Sequence, residues 1–433
     1  MLYSLQRNIM KKIFKIFTIL VAVSFAFVSC AKSSQKAVTV EIWHTYNGSQ
    51  EEGLNKIADA FNESQNKYFV KVMAQDYTGF ADSVYNAVAN KIGPSIIFNY
   101  GTTAVDYANE GLAVDIRKYI EEDKKKGDTS MQDIIDSLPP AMKTDVMGFA
   151  DGGYYYLPGC TTGPVLFYNK TYFDQLGLNP PATWDELEKV SKTIYQKLNI
   201  PAFHADGLVD IIQTLIMQNN LGYIDTKNKK VTFAGDKMVE IYQWYADMCK
   251  KGYFSFNTIG RYASEDLSNG DIAMFSGSCV NDQYIQIANG ELGMAPLPRA
   301  IGDNSFYTGW NRGPIFLMQS EEVNRGAYEF IKFFLKPENN AQWAMSNSAL
   351  SPYGTTQQLP SYQEYLNNLP ETKALPYVQA NLDISGSFPN VTGSAAVRRY
   401  LEEYLNNVVD GKLSAAEAVK KLEEDCNKAL NNL

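Results

Sequence analysis

Histidine is nearly missing from this chain: 433 residues hold 2, His44 and His204. The 5 cysteines, Cys30, Cys160, Cys249, Cys279 and Cys426, make no Cys–x–x–Cys or Cys–His spacing. No metal site and no cofactor are therefore expected. No G-x-S-x-G turn and no acidic loop pair occurs, so the usual sequence marks of a secreted hydrolase on phosphodiesters or glycosides are absent. No basic run is present and the net charge is −9, which argues against nucleic acid as a partner. No apolar run reaches the roughly 20 residues that a membrane-spanning helix needs. There is also no internal repeat and no low-complexity linker.

What is present is an ordinary globular balance. Hydrophobic residues make up 45% and charged residues 20%, so no long disordered region is expected. The length exceeds one ordinary core and predicts two domains. The 28 Tyr and 22 Phe suit either large cores or a ligand site built from amphipathic rings. At the start, basic Met10–Lys15 precedes the apolar stretch Ile16–Val28, then Ser29, Cys30 and a polar segment. That is the order of an export signal, here taken as residues 10–30 with Met10 as the start. A cysteine after a small residue resembles the lipobox of bacterial lipoproteins, which implies cleavage before Cys30 and lipidation of its thiol; an uncleaved anchor helix is the alternative. The other four cysteines are expected to be buried free thiols.

Period-2 alternation marks strands at Val38–Trp43, Tyr68–Met73 and Pro94–Tyr100, with apolar stripes at helical spacing between them: Leu54, Ile57, Ala58 and Phe61, then Val84, Ala87 and Val88. Strand–helix alternation predicts an α/β fold with a parallel sheet, whose ligands sit beyond the carboxyl ends of the strands. Trp43, His44, Tyr100 and Thr102 fall at that edge. Glu121–Gly127 reads as a solvated helix end. Thr183 and Glu186 form a capping-box pair ahead of a stripe of Leu187, Val190, Ile194 and Leu198. The stretch Gly153–Lys170 reads as two extended pieces that meet at Pro158–Gly159 and a polar patch, Thr161-Thr162-Gly163. It is either a bulged strand in one sheet or a strand leaving one domain for another. Tyr154, Tyr155 and Tyr156 read as core.

Several of these pieces, in order, carry a resemblance: Trp43-His44 after a strand, Pro164 to Lys170, Thr183 to Leu187, Gly270 to Met274, and Lys336 to Gln342. The chain resembles the extracellular solute-binding proteins of ABC importers, nearest the glycerol-3-phosphate-binding branch. The resemblance implies a two-lobed periplasmic-binding-protein-like fold, each lobe a sheet flanked by helices. Lobe 1 would hold residues 38–159 and 292–347, and lobe 2 residues 160–291 and 348–433. Crossings would lie near Pro158–Pro164, Gly290–Pro296 and Asn347–Tyr353. It also implies a small polar solute, permease subunits as partners, a monomer, and no catalysis. The expected ligand residues are Trp43, His44 and Tyr100 at the sheet edge and, as the resemblance implies, Phe80, Thr161, Thr162, Gly277, Ser278, Trp310, Asn311 and Arg398, the last on a phosphate, with Arg399 as the alternative register. Three positions depart from the pattern. Gly101 directly follows Tyr100 where an acid is expected, Leu350 replaces a tyrosine, and Gly207-Leu-Val209 replaces a tryptophan-bearing loop. The solute is then glycerol-3-phosphate or a glycerophosphodiester, with a sugar or oligosaccharide as the alternative and a hydrolase or surface adhesin as other classes.

Overall fold

The computed structural model describes residues 37–431 apart from 77–78, 147, 256–261, 289 and 301–305. The export signal and Cys30 lie outside the described residues.

The alternating segments form strands β1 (Val38–His44), β2 (Tyr68–Ala74) and β3 (Ile96–Tyr100). Between and after them run α1 (Gly48–Ser64), α2 (Phe80–Ala89) and α3 (Gly101–Asn109). β1 lies parallel between its neighbours, with Ile42 opposite Val72 and Ile96. Val40 and Ile42 have no exposed surface, and the α1 stripe of Leu54, Ile57, Ala58 and Phe61 is buried with them in one core. β-branched residues at alternate positions suit that half-buried pleated surface.

The central stretch crosses between two sheets. β4 (Cys160–Thr162) joins the first sheet and β5 (Pro164–Asn169) the second, with only Gly163 between them. A Cβ on Gly163 would lie 2.3 Å from the Tyr307 ring, so only glycine lets the chain turn there. The chain continues through α4 (Trp184–Leu198), β6 (Phe203–Ala205), α5 (Leu208–Gln218), α6 (Asp236–Lys250), β7 (Met274–Ser278) and β8 (Leu292–Ala295). It returns by β9 (Tyr307–Thr308), β10 (Trp310–Phe316), α7 (Glu321–Phe334) and α8 (Pro337–Ser346), and ends in β11 (Ser385–Gly386), α9 (Ser394–Val409) and α10 (Ala415–Leu430). The first sheet has the order β2-β1-β3-β10-β4 and the second β8-β5-β7-β6. Leu166 of β5 packs into the core under α4, α5, α6 and α9, and its neighbours Val165 and Phe167 face the other core.

Two expectations about boundaries change. The resemblance implies that residues 292–347 belong to lobe 1, but β8 pairs antiparallel with β5 of the second sheet, Leu292 opposite Asn169. The return crossing therefore lies at Gly309, between Thr308, whose hydroxyl is 3.0 Å from Thr214 Oγ1 of α5, and Trp310, which pairs with Thr162 of β4. The other two crossings lie side by side: the Thr161 N–H donates to Leu350 O at 2.8 Å and the Leu350 N–H to Thr161 O at 2.9 Å. The capping pair also shifts by one residue. Thr183 Oγ1 accepts the Glu186 N–H at 3.2 Å, but the Glu186 carboxylate takes the Ala182 N–H at 2.8 Å.

The charged stretch after residue 120 is not wholly solvated. Asp123 is 4% exposed. Arg325 Nη2 donates to it at 2.6 Å, Lys332 Nζ at 2.7 Å and the Tyr328 hydroxyl at 3.0 Å. Cys160, Cys279 and Cys426 are buried free thiols, as expected, and Cys249 is a half-buried one.

Candidate ligand-binding cleft

A cavity of about 510 Å³ opens where the ends of the two sheets face each other. The first sheet supplies Tyr100, Gly101 and Thr102 at the junction of β3 and α3, and Trp310 and Asn311 at the start of β10. The second supplies Ser278 at the end of β7, and Asp206, Gly207 and Asp210 where β6 turns into α5. Phe388, Asn390 and Arg398 close it from the segment leading into α9. A larger depression of about 760 Å³ lies at the amino ends of the first sheet, but its Arg325 is held by Asp123, Glu122 and Glu329. The interlobe cavity, with groups free to meet a ligand, is the candidate site.

Asp210 organises one wall. It is 4% exposed and takes Arg398 in a two-pronged grip, Nη1 to Oδ1 at 2.8 Å and Nη2 to Oδ2 at 3.2 Å. Burial raises its pKa, and the Arg398 charge and a hydrogen bond from Trp310 oppose that rise. Arg398 also lies 4.1 Å over the Phe388 ring. Asp206 takes the Ala263 N–H and the Asn281 side-chain amide, each at 3.2 Å. Burial raises its pKa too, opposed by those bonds and by His204. Gly277 makes this corner possible: a Cβ there would lie 2.6 Å from Asn281 Nδ2 and 2.9 Å from Asp206 Oδ2. On the opposite wall, Asn311 is 5% exposed and its Oδ1 is buried without a partner. Such an acceptor calls for a hydroxyl or amide donor from a ligand. Among the described residues that line the cavity, two carboxylates (Asp206, Asp210) face one guanidinium (Arg398), a formal balance of −1.

Of the residues expected at the ligand, the structure brings Tyr100, Ser278, Trp310, Asn311 and Arg398 to the cavity. It places the others outside the lining. Thr161 has no exposed surface and pairs with Leu350 in the crossing, and Thr162 is opposite Trp310 in the strand ladder. Phe80 is buried in a small core and Trp43 packs against that core. His44 is 1% exposed. Gly277 shapes the corner from behind. Tyr156, read as core, is buried and also meets the cavity, its hydroxyl donating to Asn311 O. No acid follows Tyr100, and the carboxylates that line the cavity, Asp206 and Asp210, come from the other lobe. The signal for these two was an acidic pair four residues apart at a strand-to-helix junction, and it was hidden because β6 has only 3 residues.

The family described as bacterial extracellular solute-binding protein matches residues 56–369. The chain belongs to this family. It is similar to the sn-glycerol-3-phosphate-binding periplasmic protein UgpB of Rhizobium meliloti, 25% identical over 95% of this chain and 96% of that one. The protein of the same name from Pectobacterium atrosepticum is 25% identical over 98% of each. Among solved structures, the cyclic alpha-maltosyl-1,6-maltose binding protein of Arthrobacter globiformis superposes with a TM-score of 0.78 at 20% identity, covering 92% of this chain and all of that one. The sugar-binding protein MalE of Xanthomonas citri does so with a TM-score of 0.73 at 19% identity, covering 91% of this chain and 98% of that one. These likenesses show the two-lobed fold. The chain is thus an extracellular solute-binding protein of an ABC importer, with a small-molecule ligand and permease partners, and not an enzyme. Among the described residues no helix is long and apolar enough to cross a membrane.

Proposed function

We propose that this solute-binding protein captures a neutral polyhydroxylated solute, a sugar or short oligosaccharide, between its lobes and hands it to a permease. The observation that carries this reading is the grip of Asp210 on both Nη atoms of Arg398. A phosphate held by the same two Nη atoms would have to displace that carboxylate and would meet Asp206 as well, in a lining whose formal balance is already −1. Hydroxyls suit the same groups without a change of partner. They can donate to Asp206 and Asn311 and accept from Arg398, and Trp310 and Phe388 offer ring faces to the apolar side of a sugar. Closure is favoured when the ligand touches both walls. Trp310 from one lobe and Asp210 from the other meet across the cavity.

A second reading, sn-glycerol-3-phosphate or a glycerophosphodiester anchored on Arg398, is favoured by the names of the curated relatives. Calorimetry separates the two. The chain is titrated with maltose, a longer maltooligosaccharide and sn-glycerol-3-phosphate, with Arg398→Ala alongside. The sugar reading expects heat from a sugar and none from the phosphate ester. Tight binding of the ester that is lost in Arg398→Ala, with every sugar silent, would sink it.

The protein acts as a monomer held at the membrane through lipidated Cys30. One acyl chain gives only marginal membrane binding, so several are required. Cys30→Ala should move the chain from the membrane to the soluble fraction and abolish palmitate labelling; retention in washed membranes would refute the anchor.

A further inference from the structure

The two lobes also meet outside the ligand cavity. The segment between β11 and α9 belongs to the second lobe by its apolar side chains: Phe388 is buried in the second core and Val391 packs against it. Its polar side chains reach the first lobe. Thr392 Oγ1 accepts a hydrogen bond from Asn109 Nδ2, on the last residue of α3, at 2.8 Å. Asn390 is 3% exposed and sits against Gly101, the first residue of α3. A Cβ at Gly101 would lie 2.5 Å from Asn390 Nδ2 and 2.7 Å from its Oδ1. Both ends of one helix in the first lobe are thus held by three consecutive residues of the second.

The same segment is tied to a hinge and to the cavity. At its start the Gly309 N–H, at the return crossing, donates to Gly386 O at 2.7 Å. Phe388 and Asn390 line the cavity, and Arg398 follows in α9. A rotation of the lobes about Gly309 therefore moves the cavity wall and the contacts on α3 together. Beside those contacts a gap of about 150 Å³ lies between Val105, Ala108 and Phe149 of the first lobe and Val391 of the second. Protein interiors leave few voids larger than a water molecule, so the segment is seated on α3 without being packed into it.

We propose that Asn390 and Thr392 of the second lobe, with Gly101 and Asn109 of the first, form a latch that holds the lobes together independently of the solute. It rests on the two-lobed capture proposed above, not on which solute is captured. A binding-competent form populated to a fraction f gives an apparent Kd equal to the intrinsic Kd divided by f. The latch raises f. Asn109 and Thr392 are outside the cavity lining, so they tune the affinity for every solute by one common factor. Gly101 is needed because a side chain there would push the Asn390 amide off its seat.

The test reads the distance between α3 and α9 in the mature chain with no solute added. Spin labels go on Asp106→Cys and Glu403→Cys, both exposed, with the half-buried Cys249 changed to Ser. Thr392→Val and Asn109→Ala should shift the distances to longer values, and Gly101→Ala should shift them furthest. Thr392→Ser keeps the hydroxyl and should leave them in place. Calorimetry with maltose, a maltooligosaccharide and sn-glycerol-3-phosphate then reads affinity. Each solute that binds should weaken by the same factor in Thr392→Val, about two- to tenfold for one hydrogen bond. Unmoved distances in Thr392→Val and Asn109→Ala overturn the proposal, even if Gly101→Ala does not fold. A loss confined to one of several binding solutes overturns it too. If every solute is silent, the sugar reading fails and the distances still decide the latch.

Discussion

Two aspartates, one in each half of the molecule, are equally buried and differently served. Asp123 and Asp210 are each 4% exposed. Asp123 receives two cations and a hydroxyl, from Arg325, Lys332 and Tyr328. Burial pushes its pKa up, but those partners win and hold it below its ordinary value. Asp210 receives one guanidinium and a bond from Trp310, and there burial wins: its pKa is raised. The first aspartate is over-supplied, lies far from the cavity and fastens α7 to its own helix, Arg117–Lys125. The second is under-supplied and looks into the cavity. A carboxylate left short of donors retains acceptor capacity for a ligand, and its incomplete neutralisation is the cost of that role.

Breaking the first site should cost the most stability. Asp123→Asn leaves Arg325 and Lys332 without their shared anion, a loss typically of about 3–5 kcal/mol for a buried pair. The lower end is expected because Glu329 and Asp128 remain beside them. Urea unfolding should show the drop with solute affinity unchanged; a fall in affinity of the same size would erase the contrast.

Breaking the second should cost affinity instead. Asp210→Asn removes a charged hydrogen-bonding partner, a loss of about 1.5–3 kcal/mol, or roughly ten- to a hundredfold in Kd. Its unfolding midpoint should move less than that of Asp123→Asn. The reverse ranking would mean that Asp210 is structural.

Acid sharpens the comparison. Because the Asp123 pKa is lowered on folding, its contribution is complete above the ordinary 3.8 and is lost as pH falls through the folded value. Asp210 has the opposite sign. Its pKa is raised, so stability declines as pH rises from 3.8 through the folded value. Midpoints measured from about pH 3 to 6 should show Asp123→Asn losing the acid-side rise and Asp210→Asn losing the decline. Parallel curves for both variants would contradict the assignment. The smallest effect belongs to a control remote from both. Thr183→Ala removes the cap of α4, which costs about 1 kcal/mol, with Kd unmoved.

What could be read in advance follows from how local each signal is. β1, β2 and β3 and the α1 stripe were legible because alternation and helical spacing are written in neighbouring residues. The crossing at Gly163 was legible because proline and glycine mark bends. Asp123 was read as solvated because its run is charged, and its partners are some 200 positions away. Of the residues that line the cavity, Ser278, Trp310, Asn311 and Arg398 are implied by a family resemblance and Tyr100 by its place at the sheet edge. Thr161 and Phe80 rest on the same resemblance and His44 on the same edge, and all three are buried. Small polar and aromatic residues at strand ends serve hinge, core and ligand alike, and only packing tells these apart. Asp206 and Asp210 were missed because a three-residue strand shows no period.

The order β2-β1-β3-β10-β4 has a kinetic consequence. The strand that fills the gap beside β3 begins at Trp310, 210 positions after Tyr100. Until that strand exists, β3 has one open edge, and the first lobe is a three-stranded fragment with its core uncovered by α7 and α8. Pairings this distant in sequence are slow to form, because the loop entropy comes due before the contacts do. A chain leaving the ribosome cannot complete this lobe early.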